Sequence, residues 1–444
     1  MKKTLVALAA FTAVAAFAQT TDGKPGVQIQ GLFSGGYQAN SWKGVRVSGF
    51  DQNGSGTSQV NIRVLEDLGG GMSAYGRLEN DFSFMNNATN GGVLPTYAWN
   101  TAATQTAITP LTGNFNKTAT GVASNWLNGE LAVGLRGPFG DVAFGALNNA
   151  GLNYIQSVAA PTQGTSFGGG YGTVLGADPT LTIVRWANSF RYLSPTINGF
   201  QGSFITAMKQ NSSSVPVAAA SAVAVTTTSL GVGLNNQVGA TEIGLKYANG
   251  PLTIGAVTSK TSIDGFCAAA SSTATVSNSS AANPCYSTGL LATGSVISSA
   301  QDNKQTSLAG SYALSNGFLL SGGYQKTNLG AIGTVMAGDQ SARTANFYNL
   351  QYTSGVNTAF VSVGSVKETA TLSTKNGMNG KFIGAGYNYA LSKNTALVAR
   401  WESFQDDTAI ISGLQASTAY TSLQGTTATN NTRVRSMFGI HSAF

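Results

Sequence analysis

The last twelve residues of the chain, 433–444, constrain its fold more than any other segment, because polar and apolar side chains alternate along them. A β-strand points successive side chains to opposite faces. One face of this segment is apolar and carries Val434, Phe438, Ile440 and Phe444. The other face carries Arg433, Arg435 and His441. Such a strand suits either the edge of a soluble β-sandwich or a membrane barrel, in which one face contacts lipid and the other contacts water.

The N-terminus has the parts of a secretory signal. Two lysines are followed by a short apolar stretch over residues 5–17 and by the A-x-A cleavage site Ala16-Phe-Ala18. The stretch is too short, and too close to the cleavage site, to be a retained membrane helix. We therefore predict that residues 1–18 are a cleaved signal peptide and that residues 19–444 form the exported domain.

The composition does not suit a soluble domain of this length. Charged residues make up 9% of the chain, against about 25% in an average soluble protein. Glycine accounts for 56 of the 444 residues, and no run of roughly 18 strongly apolar residues in the mature chain predicts a membrane helix. The net charge of +7 is mild and no basic run interleaves with aromatic residues, so nucleic acid is not an expected partner.

Sixteen segments of strand-like alternation recur along the mature chain. Short turns rich in Gly, Pro and Asn alternate with longer polar connections, of which the longest cover 83–129, 210–240 and 261–304. This asymmetry is typical of a bacterial membrane barrel, with short periplasmic turns and long outer loops. We therefore predict an all-β fold, a 16-stranded antiparallel transmembrane β-barrel.

The polar face of each strand is expected to line the lumen, because a charge on the lipid face at mid-bilayer costs about 2–4 kcal/mol. A barrel of this size leaves an aqueous channel. Aromatic residues are expected to form girdles at the water–lipid boundaries. The predicted girdle residues are Trp186, Phe190, Tyr192, Tyr348, Tyr352, Tyr387, Tyr389 and Trp401.

Several motifs resemble the Gram-negative trimeric porin family, specifically its β-proteobacterial branch. They are the strand–turn–strand unit 58–74 around Glu66-Asp-Leu-Gly-Gly-Gly71, and the segments 131–145, 185–200, 387–395 and 439–444. The resemblance implies a homotrimer of 16-stranded barrels in the outer membrane that passes small hydrophilic solutes. It also implies that the third long loop, 149–184, folds into the barrel.

The predicted functional residues are lumenal charges, because rings of Arg and Lys in a pore favour anions. They are Arg63, Arg77, Glu79, Arg136, Asp178, Arg185, Arg191 and Arg400. Arg63, Arg77 and Arg136 lie on neighbouring predicted strands and are the first candidates for the constriction. A modest anion preference is expected, unless each arginine pairs with a carboxylate, as Arg77 could with Glu79 or Arg400 with Glu402.

Cys267 and Cys285 lie in the same outer loop, and an even pair in an exported protein predicts a disulfide. Two cysteines and one histidine do not make a convincing zinc site, so we expect no metal and no cofactor. The single histidine, His441, offers little for catalysis, and the protein is not expected to be an enzyme.

A passive diffusion channel for ions and small solutes is the leading functional prediction, with outer-membrane lipid as the surroundings. A plugged outer-membrane barrel acting as a surface adhesin or structural protein is the alternative, since the loops are long and rich in Thr, Ser and Ala. A substrate-specific channel and a soluble exported sandwich rank lower.

Overall fold

The fold was established from a computed structural model. The structure describes residues 25–42, 45–52, 54–81, 96–97, 110–111, 129–161, 185–208, 238–263, 301–329, 341–370, 379–406 and 431–444. The predicted signal peptide, Asp178 and both cysteines lie outside these residues. None of the helices in the described ranges is long and apolar enough to cross a membrane.

The alternating segments of the sequence form antiparallel strands. In chain order they are β1 (Gly26–Trp42), β2 (Val45–Gln52), β3 (Gln59–Gly69), β4 (Met72–Asp81), β5 (Thr96–Tyr97), β6 (Pro110–Leu111), β7 (Leu131–Gly137), β8 (Gly140–Asn148), β9 (Arg185–Leu193), β10 (Phe200–Ala207), β11 (Val238–Asn249), β12 (Leu252–Ile263), β13 (Gln301–Ala313), β14 (Phe318–Leu329), β15 (Ser341–Ser354), β16 (Asn357–Ala370), β17 (Asn379–Ala390), β18 (Thr395–Asp406) and β19 (Asn431–Ala443). Apart from the small β5–β6 pair, they belong to one sheet.

The sheet closes into a barrel because β1 pairs antiparallel with β19, from Leu32 opposite Ala443 to Trp42 opposite Arg433. The other edge of β1 is shared by two strands. Its first part pairs with β3 and its second part pairs with β2, so these two strands together occupy one position of the ring. The barrel is therefore 16-stranded, as predicted.

A tight turn joins β7 and β8 and shows why glycine recurs in the short connections. Gly140 has a φ of +111°, and a Cβ atom there would overlap the backbone carbonyl oxygen of Leu193 on β9. Only glycine fits this backbone conformation without strain. The short turns thus keep neighbouring strands close at one rim of the barrel.

Side chains alternate between the two faces of the barrel wall. Large apolar residues such as Val133, Tyr348 and Phe438 are exposed on the outer face, while a set of charged strand residues that includes Arg77 and Glu79 is buried on the inner face. The expectation that Trp186 belongs to an outer girdle is wrong: this side chain is 5% exposed and packs against Leu147 and Ile205 on the inner side. A register shift in β8 and a positive φ at a neighbouring residue of β9 reverse the alternation locally.

After β8 the chain turns into the barrel and forms a short helical segment, which we call the inner helix. It consists of a π-helical part, Gly151–Gln156, and an α-helical turn, Ser157–Ala159. Its apolar residues share a buried cluster with inward-facing residues of β12, β13 and β15–β18. This is the start of the third long loop, which the family resemblance predicted to fold inward.

Candidate functional site

Buried charges concentrate on the inner face of β3, β4, β8 and β9 and at Glu130, immediately before β7. Arg63 and Arg77 are direct cross-strand partners in the register of β3 and β4, and both are almost fully buried. Two like charges in such a position are unfavourable unless they are compensated. Arg77 forms ion pairs with Glu79 and Glu130, and its Nε and Nη2 donate to Oδ1 of Asn61 at 3.2 and 3.0 Å. The pairing of Arg77 with Glu79, considered above as an alternative to an open charge, is therefore present.

The two glutamates extend this network to β9. Glu79 also pairs with Arg185. Glu130, immediately before β7, accepts a hydrogen bond from Nη1 of Arg191 at 3.0 Å and from the backbone and side-chain amides of Asn148 at 3.0 and 3.2 Å. Burying a charge is costly unless it is paired and hydrogen-bonded. The shared carboxylates therefore offset the cost of burying these arginines and fix them on the lumen wall.

Arg136 occupies a second level, closer to the short turns. The register of β4 and β7 places it four residues along the strand from the level of Arg77, which is about 13 Å at the usual rise of a strand. Its Nε donates to Oδ2 of Asp141 at 3.0 Å, and its guanidinium lies 5.2 Å from the centre of the Tyr75 ring. The Tyr75 hydroxyl donates to the other oxygen of Asp141 at 2.7 Å. With 40% of its side chain exposed, Arg136 faces lumenal water.

Both levels border one cavity of about 320 Å³. The structure brings four of the predicted lumenal residues together in its lining, namely Arg63, Arg77, Arg136 and Arg191. Glu79 and Arg185 join them through ion pairs.

Arg400 lies on a different wall, on β18. Its guanidinium is 5.1 Å from the centre of the Phe360 ring and donates to two backbone carbonyls at 3.2 and 2.8 Å. The alternative pairing of Arg400 with Glu402 is wrong. Glu402 instead binds Arg435, which is its direct cross-strand partner on β19.

The functional residues predicted from the sequence do not include two carboxylates that organise the cluster, Glu130 and Asp141. They also do not include Tyr75 or Glu242 of β11. Each of these side chains points inward, so their position on the polar face of a strand could have identified them. In the described residues, no three His, Cys, Asp or Glu side chains are grouped so that they could hold a metal ion.

The inner helix forms the second part of the site, because it leaves the charged wall at the end of β8 and packs on the wall of β11–β15. Oγ of Ser321 on β14 donates to the carbonyl oxygen of Ala159 at 2.7 Å. The Tyr154 hydroxyl donates to Oε1 of Gln201 on β10 at 3.0 Å. Burial raises the pKa of Tyr154, so its hydroxyl stays protonated and keeps this bond. The helix therefore narrows the lumen from a fixed position.

Comparison with known proteins agrees with this architecture. A family model described as Gram-negative porin matches residues 4–409. The anion-selective porin from Comamonas acidovorans is similar in structure, with a TM-score of 0.59 and 18% sequence identity over 95% of this chain and 100% of that one. OmpT of Vibrio cholerae, in a structure described as the trimer form, has a TM-score of 0.55 and 11% identity, covering 94% and 99% of the two chains. OmpF of Salmonella typhi has a TM-score of 0.51 and 11% identity over 94% and 97%.

A search of curated proteins returned no significant match. The family match extends over most of the sequence and agrees with the closed barrel and its charged lumen. The chain therefore belongs to the Gram-negative porins and forms a water-filled channel for passive diffusion across the outer membrane.

Proposed function

We propose that this porin passes small hydrophilic solutes with a modest preference for anions. The observation that carries the preference is the composition of the charged wall. Five arginines, on β3, β4, β7 and β9, face four carboxylates there: Arg63, Arg77, Arg136, Arg185 and Arg191 against Glu79, Asp81, Glu130 and Asp141. The low-dielectric barrel wall focuses the field of the excess positive charge into the lumen.

Current through single channels in a planar bilayer tests this proposal. We expect stepwise conductance. In a tenfold KCl gradient, we expect a reversal potential that is displaced from zero towards the equilibrium potential of chloride. A reversal potential displaced towards the equilibrium potential of potassium would refute the anion preference. A complete lack of conductance steps would favour the plugged barrel over the channel.

We also propose that the protein is a homotrimer, with its contact face on β3, β4, β7 and β8. Exposed Tyr and Trp side chains occur on β1, β13, β14, β15, β17 and β18. In the described residues of the proposed contact strands, the only Tyr or Trp is Tyr75, which points inward. This part of the outer wall carries Val133, Leu135 and Phe144 instead. An aromatic girdle marks contact with the lipid boundary, so a gap in it fits contact with another protein.

A bulky substitution distinguishes the two kinds of outer surface. Val133→Trp on β7 should yield monomers in mild detergent, whereas Val361→Trp, exposed on β16, should leave trimers intact. Light scattering coupled to size-exclusion chromatography measures both. Trimers of Val133→Trp would place the contact face elsewhere, and a monomeric wild type would refute the trimer itself.

We propose that the signal peptide is removed after Ala18, so that mass spectrometry of the outer-membrane protein should find Gln19 at its N-terminus. We expect no catalytic activity, since the family and fold are those of channels.

A further inference from the structure

We propose that Glu242 positions the inner helix, and that its carboxylate holds the constricting segment of the channel in one place. This inference rests on the proposed channel function and deepens it. Glu242 lies on β11, points into the barrel and is 3% exposed. It accepts a hydrogen bond from the backbone N–H of Ala150 and also interacts with the backbone amide of Gly151, at the start of the inner helix.

The role of Glu242 differs from that of the other buried glutamates. Glu79, Glu130 and Glu402 each form an ion pair with an arginine on the barrel wall. No ion pair within the described residues involves Glu242. Its carboxyl oxygens accept from backbone amides, which have no intrahelical partner at the start of a helix. The hydrogen bonds that stabilise this buried carboxyl group therefore come from the inner helix, and they form only when the helix is in this position.

Two glycines next to Glu242 make room for the helix, and we call them the glycine seat: Gly244 on β11 and Gly255 on β12. A Cβ atom on Gly244 would lie 2.8 Å from Cβ of Ala150 and 2.9 Å from Cδ2 of Tyr154. A Cβ atom on Gly255 would overlap the carbonyl oxygen of Tyr154. The backbone of the inner helix therefore touches the barrel wall directly at this point.

Further contacts fix the helix on either side of the glycine seat. Nζ of Lys246 lies 6.0 Å from the centre of the Tyr154 ring, and the hydroxyl of that ring is bonded to β10. At the other end of the helix, Ser321 binds the carbonyl of Ala159. Glu242 supplies the contact at the entry point, where the chain leaves the charged wall and crosses the lumen. Loss of that contact should release the start of the segment first.

The direct test compares two glutamate variants in single-channel recordings. Glu242→Gln removes the charge while preserving the shape, and Glu402→Gln removes a buried lumenal charge that does not touch the inner helix. We expect wild type and Glu402→Gln to show one steady conductance level. Glu242→Gln should switch between that level and lower ones, because the equilibrium constant for the seated helix falls roughly ten- to a hundredfold, the contribution of a hydrogen bond to a charged group.

A second pair of variants tests the glycine seat with the carboxylate intact. Gly255→Val should displace the helix and produce the same switching. Gly310→Ala is the control, because a Cβ atom at this glycine of β13 meets nothing within 4 Å, and it should behave as wild type. If Glu242→Gln and Gly255→Val are both as steady as their controls, the inference is wrong.

A crosslink tests the seated position without relying on conductance. In a Cys267→Ser, Cys285→Ser background, Ala150→Cys with Gly244→Cys should form a disulfide, since a shift of about 1 Å brings the two Cβ atoms to disulfide distance. A Cβ atom at position 244 meets side-chain atoms only, so this pair disturbs the helix less than Gly255→Val, whose side chain would overlap a backbone carbonyl oxygen. Peptide mapping measures the bond, and adding Glu242→Gln should slow its formation, because the helix then spends less time in the seated position. Absence of the disulfide would overturn the proposed seat, whereas a disulfide in a protein without conductance would refute only the channel function.

Discussion

Removing one negative charge or one positive charge from the lumen should change ion selectivity by similar amounts in opposite directions. The two changes should lower protein stability by very different amounts. Glu130→Gln and Arg136→Gln each remove one unit of charge from the charged wall. Glu130 is buried and accepts bonds from Arg77 and Arg191. Arg136 has 40% of its side chain exposed and pairs with Asp141.

The effect on selectivity follows from Coulomb's law. A unit charge about 8 Å from a passing ion contributes about 0.5 kcal/mol in water, and about 0.1 M salt reduces this by roughly half. Chloride and potassium respond in opposite directions, so the permeability ratio should change roughly two- to fivefold. Glu130→Gln should raise the preference for chloride, and Arg136→Gln should lower it. Reversal potentials in a tenfold KCl gradient measure both.

The effect on stability follows from burial. Glu130→Gln leaves two buried guanidinium groups short of a carboxylate, which costs about 3–5 kcal/mol. Arg136→Gln breaks a pair in which the arginine is partly exposed and the buried Asp141 keeps the hydrogen bond from Tyr75, so the loss should be smaller, about 1 kcal/mol. Thermal unfolding in detergent, followed by the gel mobility of folded and unfolded barrels, compares the two. Shifts of the reversal potential in the same direction, or equal losses of stability, would refute this account of the charged wall.

Three further experiments concern a turn, the closing strand and the cysteine pair. Gly140→Ala should lower the unfolding temperature, because the positive φ and the overlap with a neighbouring carbonyl oxygen leave no room for a methyl group; a wild-type unfolding temperature would contradict this. Deletion of Phe444 should reduce the yield of folded barrel on refolding into detergent, since its backbone N–H and C=O both bond to Gly31 at 3.0 Å; an unchanged yield would show that β1 and β19 close without it. Reduction should change the mass of the intact protein by two hydrogens if Cys267 and Cys285 form the predicted disulfide, and no change would refute that pairing.

The sequence predicts the barrel well because period-two alternation is a local property that survives wherever a strand has one wet and one lipid face. The prediction fails where a local irregularity of the backbone interrupts this alternation. Regular alternation predicts that Trp186 lies on the outer face, but the register shift in β8 and the positive φ of Asn188 place it inside. Neither feature is visible in a pattern of polar and apolar letters.

The charged site was predictable as a set of residues but not as a set of bonds. Arg77 and Glu79 lie on one face of one strand, and they do pair. The same reasoning for Arg400 and Glu402 fails, because a directly opposite residue of the next strand, Arg435, is nearer than a residue two positions away on the same strand. Partner choice depends on the register between strands, which one strand alone does not reveal.

The inner helix lies beyond such reasoning for a different reason. The position of the helix depends on Gly244, Gly255 and Glu242. In the sequence, these two glycines look like any other glycine of a strand, and the glutamate looks like any other inward-facing acid. Gly244 and Gly255 become informative only when the backbone that they accommodate is known. The family resemblance predicted that the loop folds inward, and the structure adds the wall on which it rests.

The pairing of β1 with β19 joins strands that lie about 400 residues apart in the sequence. Every other neighbouring pair of the ring can assemble from nearby parts of the chain, but this seam requires both ends to be present together. Until then, a growing sheet presents two open edges of unpaired backbone groups, which attract other strands. These edges must therefore be shielded while the protein is exported and inserted into the membrane. The pairing of β1 with β19 is the last step, after which no open sheet edge remains to promote aggregation.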